Sequence, residues 1–346
     1  NGATISAWYA NSQAGNRALQ DFKKISIVEA KGYCYGWHFY QAADADLVIL
    51  EQPFLHPALA AAGVDLPVLV DTQNVEFDLR AASLEGVDAA GPVLDVLHRV
   101  EGDALGAADA VSACSSADAD RLAELYGVDR SRIAVIPNGS VVPATFRDLP
   151  ARRRAHDRWF DRLRWTWGGH GTSELVVFFG SWHPPNVDAA EYLVELAARR
   201  DDLFVVSAGN HGAVFGDRRL PPNIVFPGVV TATAKTTLLG CASVALNPMR
   251  IGSGTNLKLI EFLGHGVPTV TTPFGARGLG LTDDREALVV EIGGFEDAID
   301  SALGDPVATA SRGRAGWEFA RRHDWRSIGA DYRRLVGQVL GVTLDA

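Results

Sequence analysis

The sequence predicts an α/β protein made of two Rossmann-like parallel-sheet domains facing a cleft, and three observations predict it. Short β-branched runs alternate with helical patterns along the chain, the rhythm of parallel strands crossed over by helices. A length of 346 residues suits about two domains of roughly 150 residues each. The rhythm breaks once, at residues 147–172, a stretch rich in arginine and tryptophan that closes on Gly168, Gly169 and Gly171. This reads as the domain junction, with 1–150 as the first domain, 151–172 as the linker and 173–317 as the second domain.

In the first half the β-branched runs place strands at 25–29, 46–50, 67–71, 110–113 and 133–136. Residues 116–126 form an amphipathic helix with Leu122, Leu125 and Tyr126 on one side, capped by Ser115 or Ser116. In the second half the run LVVFFG ends a strand at Gly180, and Asp188 is expected to cap a helix over 189–199. Further strands are expected at 203–207, 223–226, 243–247, 268–271 and 287–291. Residues 315–340 read as helical and carry Trp317, Phe319, Trp325, Tyr332, Leu335 and Val336, more apolar surface than one face of a terminal helix needs. The segment is therefore expected to bridge both domains, with about 318–340 completing the first.

A net charge of −10 argues against a nucleic-acid partner, since phosphate neutralisation needs a basic surface. The three cysteines, Cys34, Cys114 and Cys241, are widely spaced, so neither a disulfide framework nor a zinc site is indicated, and a reducing cytoplasm fits. No apolar run reaches the roughly 18 residues that cross a bilayer. The run Arg152, Arg153, Arg154 with Trp159, Trp165 and Trp167 suits either peripheral docking on anionic lipid at the inner face of a membrane or a solvated linker with packed indoles. The chain begins at Asn1 and its one methionine is Met249, so residues preceding Asn1 are expected.

In open α/β sheets ligands bind beyond the carboxyl ends of strands, which directs attention to the segment after the strand at 243–247. Pro248 stops that strand, Arg250 supplies a fixed positive charge, and Gly252, Ser253 and Gly254 let backbone approach a ligand closely. Thr255 or Asn256 opens a helix in which Lys258 and Glu261 follow one turn apart. A glycine-led helix start presents unpaired N–H groups and partial positive charge, and Arg250 with Lys258 adds to it opposite a diphosphate. Glu261 is placed to accept hydrogen bonds from ribose hydroxyls. The duller readings are a solvated helix carboxylate, a surface lysine and glycines that only shape a turn.

These residues resemble glycosyltransferase family 4, whose members have the GT-B fold and carry a donor helix with a glycine-rich entry and a terminal glutamate, a G-V-P-V-V strand and a G-x-x-G-L turn. Here the matches are 252–261, 266–270 (GVPTV) and 275–279 (GARGL), and the G-S-G-T-x-L-K entry is that of one subgroup. IPNGS at 136–140, FPGVV at 226–230 and GSWHPPNVDAAEYL at 180–193 resemble the domain exit, the base-binding turn and the first loop of the donor domain. The resemblance implies that the second domain binds a nucleoside-diphosphate sugar, with UDP or GDP as the nucleotide, and that the first lies on the acceptor side. It implies that Lys258 and Arg250 hold the diphosphate and that Glu261 holds the ribose. Gly252, Ser253, Gly254, Thr255, Asn256, Val229, Gly180, His183 and Gly275 are then implied to line the donor site. Retaining transfer to a glycan, lipid-linked or small-molecule hydroxyl, without a metal, is the implied reaction.

The chain departs from the family in three places. Ser253 stands where most members have a sugar-contacting glutamate, and Gln73 stands where D-x-H-N-x-E has histidine (here DTQNVE, 71–76). The family's N-terminal glycine loop is not recognisable among residues 1–26. Glutamine hydrogen-bonds hydroxyls but does not move protons near neutral pH, so Gln73, with Asn74 and Asn138, is assigned to positioning of sugar or acceptor. For Gln73, Asn74 and Glu76 the alternative is helix capping, for Asn138 a tight turn, and for His183 and Asn186, expected at a strand end facing the cleft, a loop-structural role. A sugar-nucleotide epimerase on the same fold and a noncatalytic nucleotide-sugar-binding subunit are the competing functions.

Overall fold

The computed structural model describes residues 27–29, 45–61, 63, 65–88, 90–167, 174–252 and 255–344. The region 1–26, Cys34, Gly168, Gly169, Gly171, Ser253 and Gly254 lie outside them. The chain divides into one unit of Asn1–Gly139 with Trp325–Ala346 and another of Ser140–Asp324.

In the first unit, β1 (Ile27–Glu29), β2 (Leu47–Leu50), β3 (Val68–Thr72), β4 (Ala110–Ala113) and β5 (Ile133–Val135) lie side by side in chain order, every pair parallel. The helices are α1 (His56–Ala61), α2 (Glu76–Ser83), α3 (Ala90–Ala107) and α4 (Ser116–Tyr126). Val48, Leu50, Val70 and Val111 on one face pack with Leu105 of α3 and Leu122 of α4. Leu47, Ile49 and Leu69 on the other pack with Ile328, Leu335 and Val336 of the C-terminal helix Trp325–Leu340. Both faces are covered, which is why these strands read as continuous apolar runs rather than alternating ones. Ser115 caps α4 by accepting from Asp118 N at 3.0 Å.

The second unit opens with α5 (Leu149–Trp167), which covers most of the expected linker at 151–172. Phe160 of α5 is buried, and Trp159, Leu163 and Trp167 pack against Leu175, Val177 and Phe204 of the sheet beneath. This packing moves the division from the expected 150 back to Gly139 and Ser140. Arg152 is buried too, donating to the carbonyls of Leu239 (2.5 Å), Ala242 (3.5 Å) and His265, so it ties helix ends together and is not available to lipid. Arg153, Arg154 and Trp165 stay exposed.

The sheet of this unit contains β6 (Glu174–Phe179), β7 (Leu203–Ala208), β8 (Ile224–Val225), β9 (Val244–Asn247), β10 (Thr269–Thr271) and β11 (Leu288–Val289), in the order β11-β10-β9-β6-β7-β8 and all parallel. Around it lie α6 (Pro184–Arg199), α7 (Ala232–Cys241), α8 (Leu257–Gly264), α9 (Pro273–Ala276), α10 (Phe295–Gly304) and α11 (Pro306–Arg321). The chain builds outward from β6 to β8 and then restarts on the other side of β6 at β9. The topological switch therefore falls between β6 and β9, the place beyond the carboxyl ends of the strands where open sheets of this kind take ligands.

The single helical segment expected at 315–340 is two helices. Asp324 stands at the break, its carboxylate accepting from Val142 N at 3.0 Å, and His323 O accepts from Ser140 N at 2.9 Å. The surplus of aromatics is thereby divided: Trp317 and Phe319 pack with Leu259 and Ile260 of α8, whereas Trp325 and Tyr332 pack in the first unit.

Candidate functional site

The carboxyl ends of β6 and β7 are drawn together by glycine. Gly209 has φ +132°, and a Cβ there would lie 1.8 Å from Gly180 O. Gly180 is closed in the same way, since its Cβ would meet Asn186 Cβ at 2.9 Å and His211 Nδ1 at 3.0 Å. The buried His211 bridges the two loops, with Nδ1 2.8 Å from Gly180 O and Nε2 2.7 Å from Ser207 Oγ. A carbonyl only accepts, so Nδ1 carries the proton and Nε2 accepts from the hydroxyl. Burial pushes the imidazole pKa down and favours this neutral form.

Helix α6 starts at Pro184, with His183 at the N-cap, rather than at Ala189 behind Asp188. Pro184 and Pro185 set the first turn, because proline is pre-organised for helix entry and its missing N–H is unneeded there. His183 makes no capping hydrogen bond; its ring stacks on the exposed Trp182 at 4.4 Å. Asp188, now one turn inside α6, holds Arg250 in a bidentate pair, 3.0 Å to Nε and 2.6 Å to Nη2. The fixed positive charge expected from Arg250 is thus already matched by a carboxylate.

Lys258 is surrounded differently. Its Nζ donates to Asn186 Oδ1 at 2.5 Å, lies 3.6 Å from Met249 Sδ and sits 4.3 Å from the centroid of the Phe178 ring. Asn186 is buried and in turn donates to Ser181 Oγ at 3.1 Å. Every one of these partners is neutral. Desolvation in this cage, with a smaller contribution from the Lys235 charge, pushes the Lys258 pKa down to about 7. With neutral partners, Lys258 can meet an incoming anion without first leaving an ion pair, and the anion favours its protonated form.

One turn along α8, Glu261 pairs with Lys235 of α7, Nζ to Oε2 2.5 Å. Lys235 did not stand in the expected site set, whereas Asn186 was read beside His183 at the strand end. The signal for Lys235 lay in position rather than in motif, on the helix after FPGVV. Asn256 is the N-cap of α8, as one of the two expected choices, and Thr255 precedes it. The Asn256 side chain does not close the helix start; it donates to Gly275 O at 3.1 Å and so ties the GARGL turn to α8. Gly275 is itself obligatory, since a Cβ would lie 2.5 Å from Asn247 Nδ2 and 2.6 Å from Thr271 Oγ1. Gly252 takes φ +128° beside Pro185. Val229 is exposed on the turn after Gly228, whose carbonyl accepts from Gly209 N at 2.8 Å.

In the first unit, Gln73 Nε2 lies 3.4 Å from Asp71 Oδ2, which also accepts from Tyr332 Oη at 3.1 Å, while Asp71 Oδ1 accepts from Ser112 Oγ at 2.6 Å. Asn74 donates to Glu76 at 3.5 Å, and Asn138 Nδ2 lies 3.1 Å from Cys114 Sγ. Capping of α2 is not done by Gln73, Asn74 or Glu76. Glu101 of α3 does it, accepting from the backbone N–H of Glu76 and of Phe77 at 2.9 Å each and from Tyr126 Oη at 2.6 Å. Burial raises the pKa of the Glu76 carboxyl. Among the described residues no three His, Cys, Asp or Glu side chains are arranged to hold a metal ion, and no helix is long and apolar enough to cross a membrane.

Two family models match the chain: Glycosyl transferase 4-like domain over residues 14–139 and Glycosyl transferases group 1 over residues 173–305. Glycogen synthase of Mycobacterium tuberculosis is 24% identical over 282 residues, covering 79% of this chain and 64% of the relative, so the chain spans less than two thirds of the length of that relative. Among solved structures, sucrose-phosphate synthase from Thermosynechococcus elongatus superposes with a TM-score of 0.65 at 16% identity, over 86% of this chain and 74% of that one. The Anabaena protein HepE in complex with UDP gives 0.66 at 16% identity, over 86% and 80%. A glycosyltransferase from Rickettsia africae gives 0.61 at 12% identity, over 99% and 85%.

Proposed function

We infer a function from one premise: the chain belongs to the glycosyl transferases group 1 family, with a glycosyl transferase 4-like domain ahead of it and the GT-B fold. It is a retaining glycosyltransferase that moves a sugar from a nucleoside-diphosphate sugar to a hydroxyl of a glycan, lipid-linked or small-molecule acceptor. The observation that carries this reading is Lys258, an ammonium in a cage of neutral groups at the switch point of the second sheet. UDP is the first nucleotide to test, because HepE was solved with it, and GDP is the second.

In the reaction the acceptor hydroxyl attacks the anomeric carbon from the face that the nucleotide diphosphate leaves. The bond from that carbon to the phosphate oxygen breaks, the hydroxyl proton passes to the departing phosphate, and charge builds on its oxygens as the bond opens. A pre-positioned cation stabilises that charge more in the transition state than in the ground state, and removing one such group costs on the order of 100-fold to 1,000-fold in rate. Lys258→Met is therefore expected to lose that much transfer or donor hydrolysis while its circular dichroism stays native. Unchanged turnover would overturn the assignment. A melting-temperature screen with UDP, GDP, ADP and TDP sugars identifies the donor, since a ligand of the folded state alone raises stability. The anomeric configuration of the product, read by NMR coupling, tests retention.

A further inference from the structure

A vicinal diol offers two O–H donors and also lone pairs on both oxygens, while a carboxylate accepts only. Glu261 alone could satisfy the donors of a ribose and would leave its acceptors unmet. It would also set an unpaired negative charge near a diphosphate. The structure supplies the complement: Lys235 Nζ lies 2.5 Å from Glu261 Oε2, with the two side chains 34% and 21% exposed, so the pair is reachable at the carboxyl edge. An ammonium has three N–H donors, and one bond to Glu261 leaves others for a hydroxyl oxygen.

The position of Lys235 is fixed from three directions. Thr231 caps α7 by accepting from Ala234 N at 3.2 Å, which places Lys235 at the first turn, just beyond the 226–230 turn. Its Nζ lies 5.2 Å from the centroid of the Phe179 ring, at the end of β6. Its Oε2 partner sits on α8, one turn beyond Lys258. The described residues contain two lysines, Lys235 and Lys258, and both belong to this edge.

We propose that Lys235 and Glu261 together form the receptor for the ribose diol of the donor, the carboxylate accepting from the hydroxyls and the ammonium donating to one of their oxygens, so that Lys235 sets the preference for ribose over 2′-deoxyribose. The inference rests on the donor-site reading of this unit. Its test is calorimetric titration of the full chain, and of Lys235→Met and Lys235→Arg, with UDP, GDP and their 2′-deoxy counterparts. Loss of the Lys235 charge weakens ribo and deoxy ligands alike, so the ratio between them is the informative quantity.

The unsubstituted chain is expected to prefer a ribonucleotide over its 2′-deoxy form by about 100-fold, as hydrogen bonds to charged groups allow. Lys235→Met is expected to lower that ratio about tenfold and Lys235→Arg to keep most of it. An unchanged ratio in Lys235→Met, or no preference in the unsubstituted chain, overturns the inference and leaves the donor site standing. Absence of binding by any ribonucleoside diphosphate overturns the donor site and the inference with it.

Discussion

At the carboxyl edge of the first sheet a carboxylate, Asp71, gathers Ser112, Tyr332 and Gln73 around it, and at the same edge of the second sheet an ammonium, Lys258, is caged by Asn186, Met249 and Phe178. The first arrangement is a carboxylate already supplied with hydrogen-bond donors. The second holds a charge that its surroundings do not cancel. Glycine shapes the second edge: Gly180, Gly209 and Gly275 each sit where a Cβ would press to 3.0 Å or closer on another residue. One fold class thus places ions of opposite sign at the two edges, a carboxylate bonded by neutral donors in the first unit and an ammonium caged by neutral groups in the second.

The sharpest way to break the contrast is to give Lys258 a partner of opposite sign. Asn186→Asp changes one atom type and places a carboxylate 2.5 Å from the ammonium, at the site of the present amide oxygen. The pair would hold the lysine charged but spent, and donor affinity is expected to fall on the order of 100-fold. Stability in urea should rise or stay level, because a buried cation gains a counter-ion. Affinity retained in Asn186→Asp would show that the neutrality of the cage does not matter.

The second prediction uses pH. The Lys258 pKa in the folded protein is about 7, below its ordinary 10.5, so the unfolded chain holds this proton more tightly. Between about pH 7 and 10.5 the Lys258 contribution to stability therefore grows with pH, and below 7 the cost of burying the charge is complete. Donor binding runs the other way. A diphosphate favours the ammonium, so affinity for a nucleotide sugar is expected to fall about tenfold per unit above pH 7, with proton uptake visible as buffer-dependent heat. Lys258→Met should flatten both slopes, and a slope that survives in it would assign the titration elsewhere.

Much of this was legible in the sequence because parallel strands buried on both faces are apolar almost throughout. The runs at Leu47–Leu50, Ala110–Ala113 and Leu203–Ala208 show this, with Ser112 and Ser207 their polar members. Helix α8 was legible because glycines, a proline stop and a Lys-to-Glu spacing fall together within 248–261. The partnerships were not legible, since they join residues far apart in the chain. Arg250 and Asp188 are 62 residues apart, and Lys258 and Asn186 are 72 apart. The start of α6 was misplaced because Asp188 is a good capping type, whereas the two prolines before it decide the first turn. Residues 151–172 read as a linker because arginines hide a buried face, and Arg152 itself is spent on helix-end carbonyls.

The smallest effect is expected at Arg250, and it refines the contrast within the second unit itself. Its guanidinium is largely exposed and bonded twice to Asp188, so to reach a diphosphate it must leave one anion for another. The gain is the difference between two similar pairings, and exposed pairs of this kind are each worth about 0 to 1 kcal/mol. Arg250→Met should accordingly weaken donor binding by a factor of about five or less, with little change in urea stability. Asp188→Asn removes the competing anion, and it should tighten donor binding by a similar factor. A hundredfold loss in Arg250→Met, with no gain in Asp188→Asn, would mean that the arginine meets the diphosphate without first giving up Asp188, and the two cations of this edge would then be equals.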